Sequence, residues 1–423
     1  MRQYRIHGQK RLEGELFIGG AKNAVLPILA AVCLNESETV IHNCPRISDT
    51  FVSNEILKGI GCGIEFAGNT LKISSNGELK HDIPAECVKE MRSSILFMGA
   101  MLARMGRVNI SLPGGCNLGE RAIDLHIEGL EAMGAKITQE NDMLVCEAPT
   151  GLKGAQIKLD FASVGATENL MIAATKAKGE TIIKNAAREP EITDLAEFLK
   201  KLGADIKGAG TSTIVINGTK QLCKNVTHEI IPDRIVAGTY LVAAAMTEGE
   251  IKLSNIRPLD LTPFTTKLSD MGCIIRANHN EVILRAPKRL RALPRLVTKV
   301  HPGFPTDMQA QFVAALTIAD SRSEITETIF EGRYSHAAEL RKMGASIHLT
   351  ADKRTFTVSG VDRLHGAIVT AHDLRCGAAL ILAALSAEGE TTVRNAKYVE
   401  RGYDGIEKDL ASLGADIILE DVF

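Results

Sequence analysis

Leu202-Gly203-Ala204-Asp205-Ile206 returns letter for letter as Leu413-Gly414-Ala415-Asp416-Ile417. Looser copies stand around Gly61 (GIGCGI), Gly134 (MGAKI), Gly272 (MGCII) and Gly344 (MGASI). The six glycines are 73, 69, 69, 72 and 70 residues apart. A helix-end glycine met six times by accident would not keep that spacing, so the period fixes the architecture.

Working outward from each glycine gives the rest of the unit. An amphipathic helix precedes it, as in ITDLAEFLKKLG (192–203), and the glycine suits the left-handed position that ends a helix. Two short strands follow it. Before the amphipathic helix stands a short β-branched run, such as TIIKNA (181–186) or TTVRNA (391–396). Before that comes a segment apolar on nearly all faces: AVLPILAAVCL (24–34), SILFMGAMLARM (94–105), NLMIAATKA (169–177), TYLVAAAMT (239–247), QFVAALTIA (311–319) and ALILAALSA (379–387). A helix apolar all round is buried. The unit therefore reads strand, buried helix, strand, exposed helix, strand, strand. Three units around one axis enclose three buried helices, which makes two domains. The N-terminal strand is expected to complete the second. The expected domains are 22–230, with the Cys116 loop, and 1–21 with 231–423. Two chain crossings would form a hinge, with the active site in the cleft between the domains.

Composition narrows the function. The 423 residues exceed one ordinary core. Aromatics are 4% with no Trp, which disfavours stacking platforms for single-stranded nucleic acid. Forty-nine basic against 51 acidic residues leave no overall field for polyanions. The nine cysteines (33, 44, 62, 87, 116, 146, 223, 273 and 376) include no C-x-x-C pair, which fits a reducing compartment rather than a disulfide frame. No signal-like or membrane-spanning apolar run is present, so a cytoplasmic location is expected, with neither nucleic acid nor membrane as partner.

Polar residues gather where the buried helices start. These are Lys22 and Asn23, Arg92 and Ser93, Ser163 and Gly165, Asp233 and Arg234, Thr306 and Asp307, and Asp373 and Arg375. Helix N-termini attract anions. Ser163, Asp233 and Asp373 are equally well read as plain caps. Lys22, Arg92 and Arg375 oppose the dipole, which makes sense if a bound anion compensates them. The loop LPGGCNLGERAIDLH (112–126) sets Cys116 among glycines without apolar neighbours. Its surroundings leave a reactive and a structural thiol both open. Arg121, Asp124 and His126 read locally as a solvated helix start. Arg401, in VERGYD, is either an exposed loop residue or a clamp for phosphate or carboxylate. Asp307, behind two prolines in HPGFPTDMQ, is a rigidly held carboxylate able to accept a hydroxyl proton.

These segments carry a resemblance. GGAKN (19–23), PGGCNLGERAIDLH (113–126), FASVGAT (161–167), NAAREPEI (185–192), HPGFPTDMQAQ (301–311), TETIFEGRYSH (326–336), HDLRCGAALILA (372–383) and ERGYD (400–404) resemble the UDP-N-acetylglucosamine 1-carboxyvinyltransferase family over the whole chain. The resemblance implies the enolpyruvyl transferase fold, an α/β fold of two inside-out barrels built from six repeats. It implies transfer of the enolpyruvyl group of phosphoenolpyruvate to the 3-hydroxyl of UDP-N-acetylglucosamine, with no cofactor and no metal. It makes Cys116 the acid for the methylene carbon, the site of a covalent adduct and the target of fosfomycin. Lys22, Asn23, Arg121, Arg333, Arg375 and Arg401 would hold phosphoenolpyruvate. Asp307 would be the base. Asn23, Arg92, Arg121, Ala122, Ile123, Asp124, Leu125, Ser163, Val164, Asp307 and Ile329 would contact the nucleotide sugar. Leu118 stands in place of a usual Ile, Ala122 in place of a Pro common in the loop, and Phe161 where some members of the family have Lys. The synthase for 5-enolpyruvylshikimate 3-phosphate shares fold and donor, but the cysteine loop and uridine-sugar motifs argue against it.

Overall fold

The structure, a computed structural model, describes residues 2–112, 123–219, 222, 225–351 and 353–422. The third repeat shows the unit whole: strand Gln156–Lys158, helix Val164–Ala174, strand Glu180–Lys184, helix Pro190–Lys201, and strands Asp205–Lys207 and Thr213–Asn217. The first strand pairs parallel with Glu180–Lys184, and the other contacts are antiparallel. Alternation sets the faces: Thr181 and Ile183 point into the core while Glu180 and Lys184 face water. All six repeat glycines take positive φ, between 90° and 109°. A side chain there would clash with its own carbonyl, at roughly 1 kcal/mol or more.

The described residues form five four-stranded sheets and one three-stranded sheet. The chain divides into two compact units, within 20–231 and within 2–19 with 232–422. Gly20 and Ala21 go with the first unit, two residues earlier than the expected boundary. Gly20 lies so close to Asn43 that a Cβ would stand 1.8 Å from its carbonyl oxygen, and Ala21 N donates to Ile231 O at 2.8 Å. The N-terminal segment serves two sheets of the second unit. Arg2–His7 lies between Glu390–Arg394 and Asp416–Asp421, and Glu13–Phe17 pairs parallel with Glu250–Ser254.

In each unit three buried helices pack on one another. They are Lys22–Ala31, Leu96–Met105 and Val164–Ala174 in one, and Arg234–Met246, Gln309–Leu316 and Leu374–Ser386 in the other. Every residue from Leu374 to Leu385 is buried, as the all-round apolar pattern requires. Small residues set the approach: a Cβ on Gly99 would stand 2.6 Å from the Asn169 carbonyl oxygen. Two buried helices begin with a 3-10 turn, Arg92–Ile95 and Thr306–Met308.

A clamp ties strand to strand at the helix starts. Asn43, Asn185, Asn255 and Asn395 each follow the middle strand of a repeat with φ between 53° and 62°. Each amide donates to the carbonyl just past the parallel edge strand: Ile230, Leu159, Ile18 and Ala371, at 2.7–3.3 Å. Asn tolerates this left-handed backbone better than other side chains. In the fifth repeat Thr328 does the same work, its hydroxyl donating to Thr298 O at 2.6 Å. In the second repeat the strand Arg107–Ser111 is followed by Leu112, and residues 113–122 beyond it lie outside the described ones.

Candidate functional site

In the unit of residues 2–19 and 232–422, two buried helices are capped by carboxylates. Asp233 Oδ1 accepts from Ile235 N and Val236 N at 2.8 and 3.0 Å, and Asp373 Oδ1 from Arg375 N and Cys376 N at 2.9 Å each. Capping accounts for both. Asp307 does not stand at a cap position. It lies in the 3-10 turn ahead of Gln309–Leu316, and its two oxygens face two guanidiniums: Oδ1 accepts from Arg333 Nη1, and Oδ2 from Arg375 Nη2, at 2.9 Å each. The arginine side chains are 6% exposed and that of Asp307 22%. Burial alone would raise the Asp307 carboxyl. The Arg375 and Arg333 charges outweigh it and hold the group well below the usual carboxylate range. The Arg375 charge at a helix start is therefore compensated from within the chain, and not only by a bound anion.

The same network continues behind Asp307. Arg333 Nη1 also donates to Thr306 Oγ1 at 2.8 Å, and its guanidinium lies 4.8 Å over the Phe330 ring. Ser335 Oγ donates to the second Asp373 oxygen at 2.9 Å. His336 is buried beside the Phe356 ring, and burial pushes it down to about 4 despite Asp373. Arg401, half-buried, ends the 3-10 turn Ala396–Arg401, which packs on the helix Leu374–Ser386. Gly402 makes that contact possible, because a Cβ would sit 2.7 Å from a Leu374 methyl. Ile329, half-buried, follows the strand Arg322–Thr326.

In the unit of residues 20–231, Lys22 opens the first buried helix and Asn23 follows it. The Lys22 ammonium stands 2.7 Å from Asp49 Oδ2, with side chains 12% and 5% exposed. Here too an internal carboxylate balances a cation that opposes the dipole. Arg92 opens the 3-10 turn before the second helix. Ser163 caps the third by accepting from Ala166 N at 3.3 Å, and Val164 is its first residue.

Between these starts lies His126. Asn169 Oδ1 accepts from Gly99 N at 2.9 Å, so its amide nitrogen faces Ile95 O and His126 Nδ1, the latter at 3.0 Å. Nδ1 is then an acceptor, and the neutral ring carries its proton on Nε2. Burial, then the nearby Arg92 charge, push His126 down to about 4. Its place in the sequence suggested a solvated helix start, but the ring turns inward, against Gly165. Asp124 does open that helix and is exposed. Ile123 and Leu125 beside it are half-buried. Cys116, Arg121 and Ala122 lie outside the described residues.

The structure adds residues that sequence reasoning missed. Asp49 and Glu327 are buried carboxylates tied to candidate site residues. Glu327 at least stands in the TETIFEGRYSH segment. Nothing local marks Asp49. The NAAREPEI segment also contributes: Ala187 N donates to Thr167 Oγ1 at 3.0 Å, and Glu191 and Glu189 add to the burial that raises the Glu168 carboxyl well above its usual range. Six of the described cysteines are buried and Cys87 is half-buried. Among the described residues no group of His, Cys, Asp and Glu is placed to hold a metal ion. Nor, among the described residues, is any helix long and apolar enough to cross a membrane.

The family described as EPSP synthase (3-phosphoshikimate 1-carboxyvinyltransferase) matches residues 6–410. UDP-N-acetylglucosamine 1-carboxyvinyltransferase 2 of Caldanaerobacter subterraneus is 47% identical over 418 residues, 99% of either chain. UDP-N-acetylglucosamine 1-carboxyvinyltransferase 1 of Symbiobacterium thermophilum is 49% identical, covering 98% of this chain and 94% of its own. The chain belongs to the UDP-N-acetylglucosamine 1-carboxyvinyltransferase family. Its fold is that of the enolpyruvyl transferases: the enolpyruvyl transferase NikO from Streptomyces tendae matches with a TM-score of 0.89 at 26% identity, covering 100% of this chain and 99% of that one. EPSP synthase from Acinetobacter baumannii matches with a TM-score of 0.74 at 19% identity over both full chains, a likeness of fold alone.

Proposed function

We propose that the chain transfers the enolpyruvyl group of phosphoenolpyruvate to the 3-hydroxyl of UDP-N-acetylglucosamine and releases phosphate, the step that commits the sugar to peptidoglycan. The observation that carries this is similarity at 47% identity to a carboxyvinyltransferase for that sugar across 99% of both chains. The setting proposed is the cytoplasm.

The chemistry is addition followed by elimination. The Cys116 thiol gives its proton to C3 of phosphoenolpyruvate, making C2 electrophilic. The sugar 3-hydroxyl attacks C2 and loses its proton to Asp307. The tetrahedral adduct then sheds a proton from the new methyl group as the C2–O bond to phosphate breaks, which restores the double bond. Lys22, Arg121, Arg333, Arg375 and Arg401, with Asn23, hold the phosphate and carboxylate charges, an arrangement worth most where water is excluded. Arg92, Ile123 to Leu125, Ser163, Val164 and Ile329 orient the nucleotide sugar.

The two arginines on Asp307 give this scheme a logic. While both guanidiniums face it, the carboxylate is a weak base. Phosphoenolpyruvate competing for either arginine raises the basicity of Asp307 as the donor substrate arrives. Phosphate release measured with each substrate alone and with both tests the function. Release is expected only with both. Release with shikimate 3-phosphate in place of the nucleotide sugar would overturn the assignment.

A further inference from the structure

We propose that Glu327 is a positioning residue for this transfer, one buried carboxylate that sets both the turn bearing Asp307 and the loop bearing Ile329. The inference rests on the reading above, in which those two residues meet substrate.

Glu327 follows the strand Arg322–Thr326 and is 2% exposed. Its Oε1 accepts from Ile329 N at 2.8 Å, Phe330 N at 3.1 Å and Thr298 Oγ1 at 3.0 Å. Its Oε2 accepts from Thr306 Oγ1 at 2.9 Å. Thr306 Oγ1 in turn accepts from Arg333 Nη1 at 2.8 Å, and that nitrogen also lies 2.9 Å from Asp307 Oδ1. A continuous series of contacts therefore runs from Ile329 through Glu327, Thr306 and Arg333 to Asp307.

The series has a direction. A carboxylate only accepts, so the Thr306 hydroxyl must turn its proton to Glu327 and its lone pairs to Arg333. An amide in place of Oε2 reverses this. It donates to Thr306, so the hydroxyl proton loses its acceptor and must turn toward the Arg333 side. The bonds from Ile329 and Phe330 to Oε1 weaken but survive the change, because an amide oxygen in that place still accepts. Glu327 thus acts on the Asp307 side through its charge and on the Ile329 side through its shape, and the two can be separated.

Four variants make the test: E327Q, T306V, T306S and the double variant E327Q/T306V. Phosphate release and thermal melting are measured for each. E327Q is expected to melt like the wild type and to keep its KM for UDP-N-acetylglucosamine within about threefold, while kcat falls about tenfold or more. T306V should show the same loss, and T306S, which keeps the hydroxyl, should recover most of the rate. The double variant should be no slower than the slower single one, since both break one contact. An E327Q or T306V enzyme with near-normal kcat overturns the inference. So does a double variant whose loss multiplies the two single losses. A wild-type chain that releases no phosphate from the two substrates overturns the function reading itself, and this inference with it.

Discussion

Arg375 Nη2 donates to Asp307 Oδ2 at 2.9 Å, joining the starts of two buried helices that lie 68 residues apart in sequence. Arg333 Nη1 takes the other carboxylate oxygen at the same distance. The candidate base and two candidate anion-binding groups are therefore one preassembled cluster.

Replacing Asp307 tests both roles at once. Asp307→Ala should fold but lose turnover by about a hundredfold or more, the usual scale for a general base. Without the carboxylate, two buried guanidiniums face each other unbalanced, so the variant should melt lower than the wild type. Inorganic phosphate should then raise its melting temperature more than it raises that of the wild type. A folded variant with near-normal phosphate release would remove Asp307 from the mechanism.

Asp49 is expected to govern the donor site. Asp49→Asn removes the charge that holds the Lys22 ammonium at 2.7 Å. The KM for phosphoenolpyruvate should rise about tenfold, with the KM for the nucleotide sugar little changed. Steady-state kinetics with each substrate varied will show it, and an unchanged KM for phosphoenolpyruvate would refute the link.

Acid stability should be limited by two histidines. His126 and His336 are both pushed down to about 4. Below the ordinary histidine value the unfolded chain binds a proton that the folded chain refuses, so stability falls as pH drops from about 6.5 to 4, by about 3 kcal/mol for each ring. Asp307 stays ionised through that window, and its contribution is lost only at lower pH. Glu168, raised in the fold, acts in the opposite sense, so single variants are needed. Urea unfolding of His126→Gln and His336→Asn should give a shallower slope against pH than the wild type. An identical slope would mean that these rings are not buried neutral.

Fosfomycin should label Cys116 alone. Burial raises Cys62 to about 11 and Cys146, Cys273 and Cys376 to about 12, while Cys33 is buried and raised further. Cys87 is raised as well, by burial and its acidic neighbours. Thiols so placed hold little thiolate near neutrality. Peptide mapping after treatment with UDP-N-acetylglucosamine present should find one adduct, on the loop. Adducts elsewhere, or none at Cys116, would count against the loop thiol.

Much of the fold was legible because local rules and the fold agree. The repeat glycines needed positive φ, and the apolar runs needed burial. The capping roles of Ser163, Asp233 and Asp373 were legible as one of two alternatives. What could not be read was who balances whom. Lys22 with Asp49, and Asp307 with Arg333 and Arg375, are pairs that only tertiary packing brings within reach. The inward turn of His126 was hidden likewise, because its partner Asn169 lies 43 residues on. Even so, among the described residues no left-handed Asn directly follows the middle strand of the second or the fifth repeat, as one does in the other four. These two are the repeats that bear Cys116 and Ile329, where function is expected to break a local rule.

The strand Arg2–His7 sits between Glu390–Arg394 and Asp416–Asp421. In translation this strand therefore precedes both of its neighbours. Residues 20–231 can fold as soon as they emerge. The opening strand must wait, unpaired, for nearly four hundred further residues before its neighbours exist. During translation the charges of Arg2 and Arg5, and not its eventual partners, are what keep it from finding a wrong one.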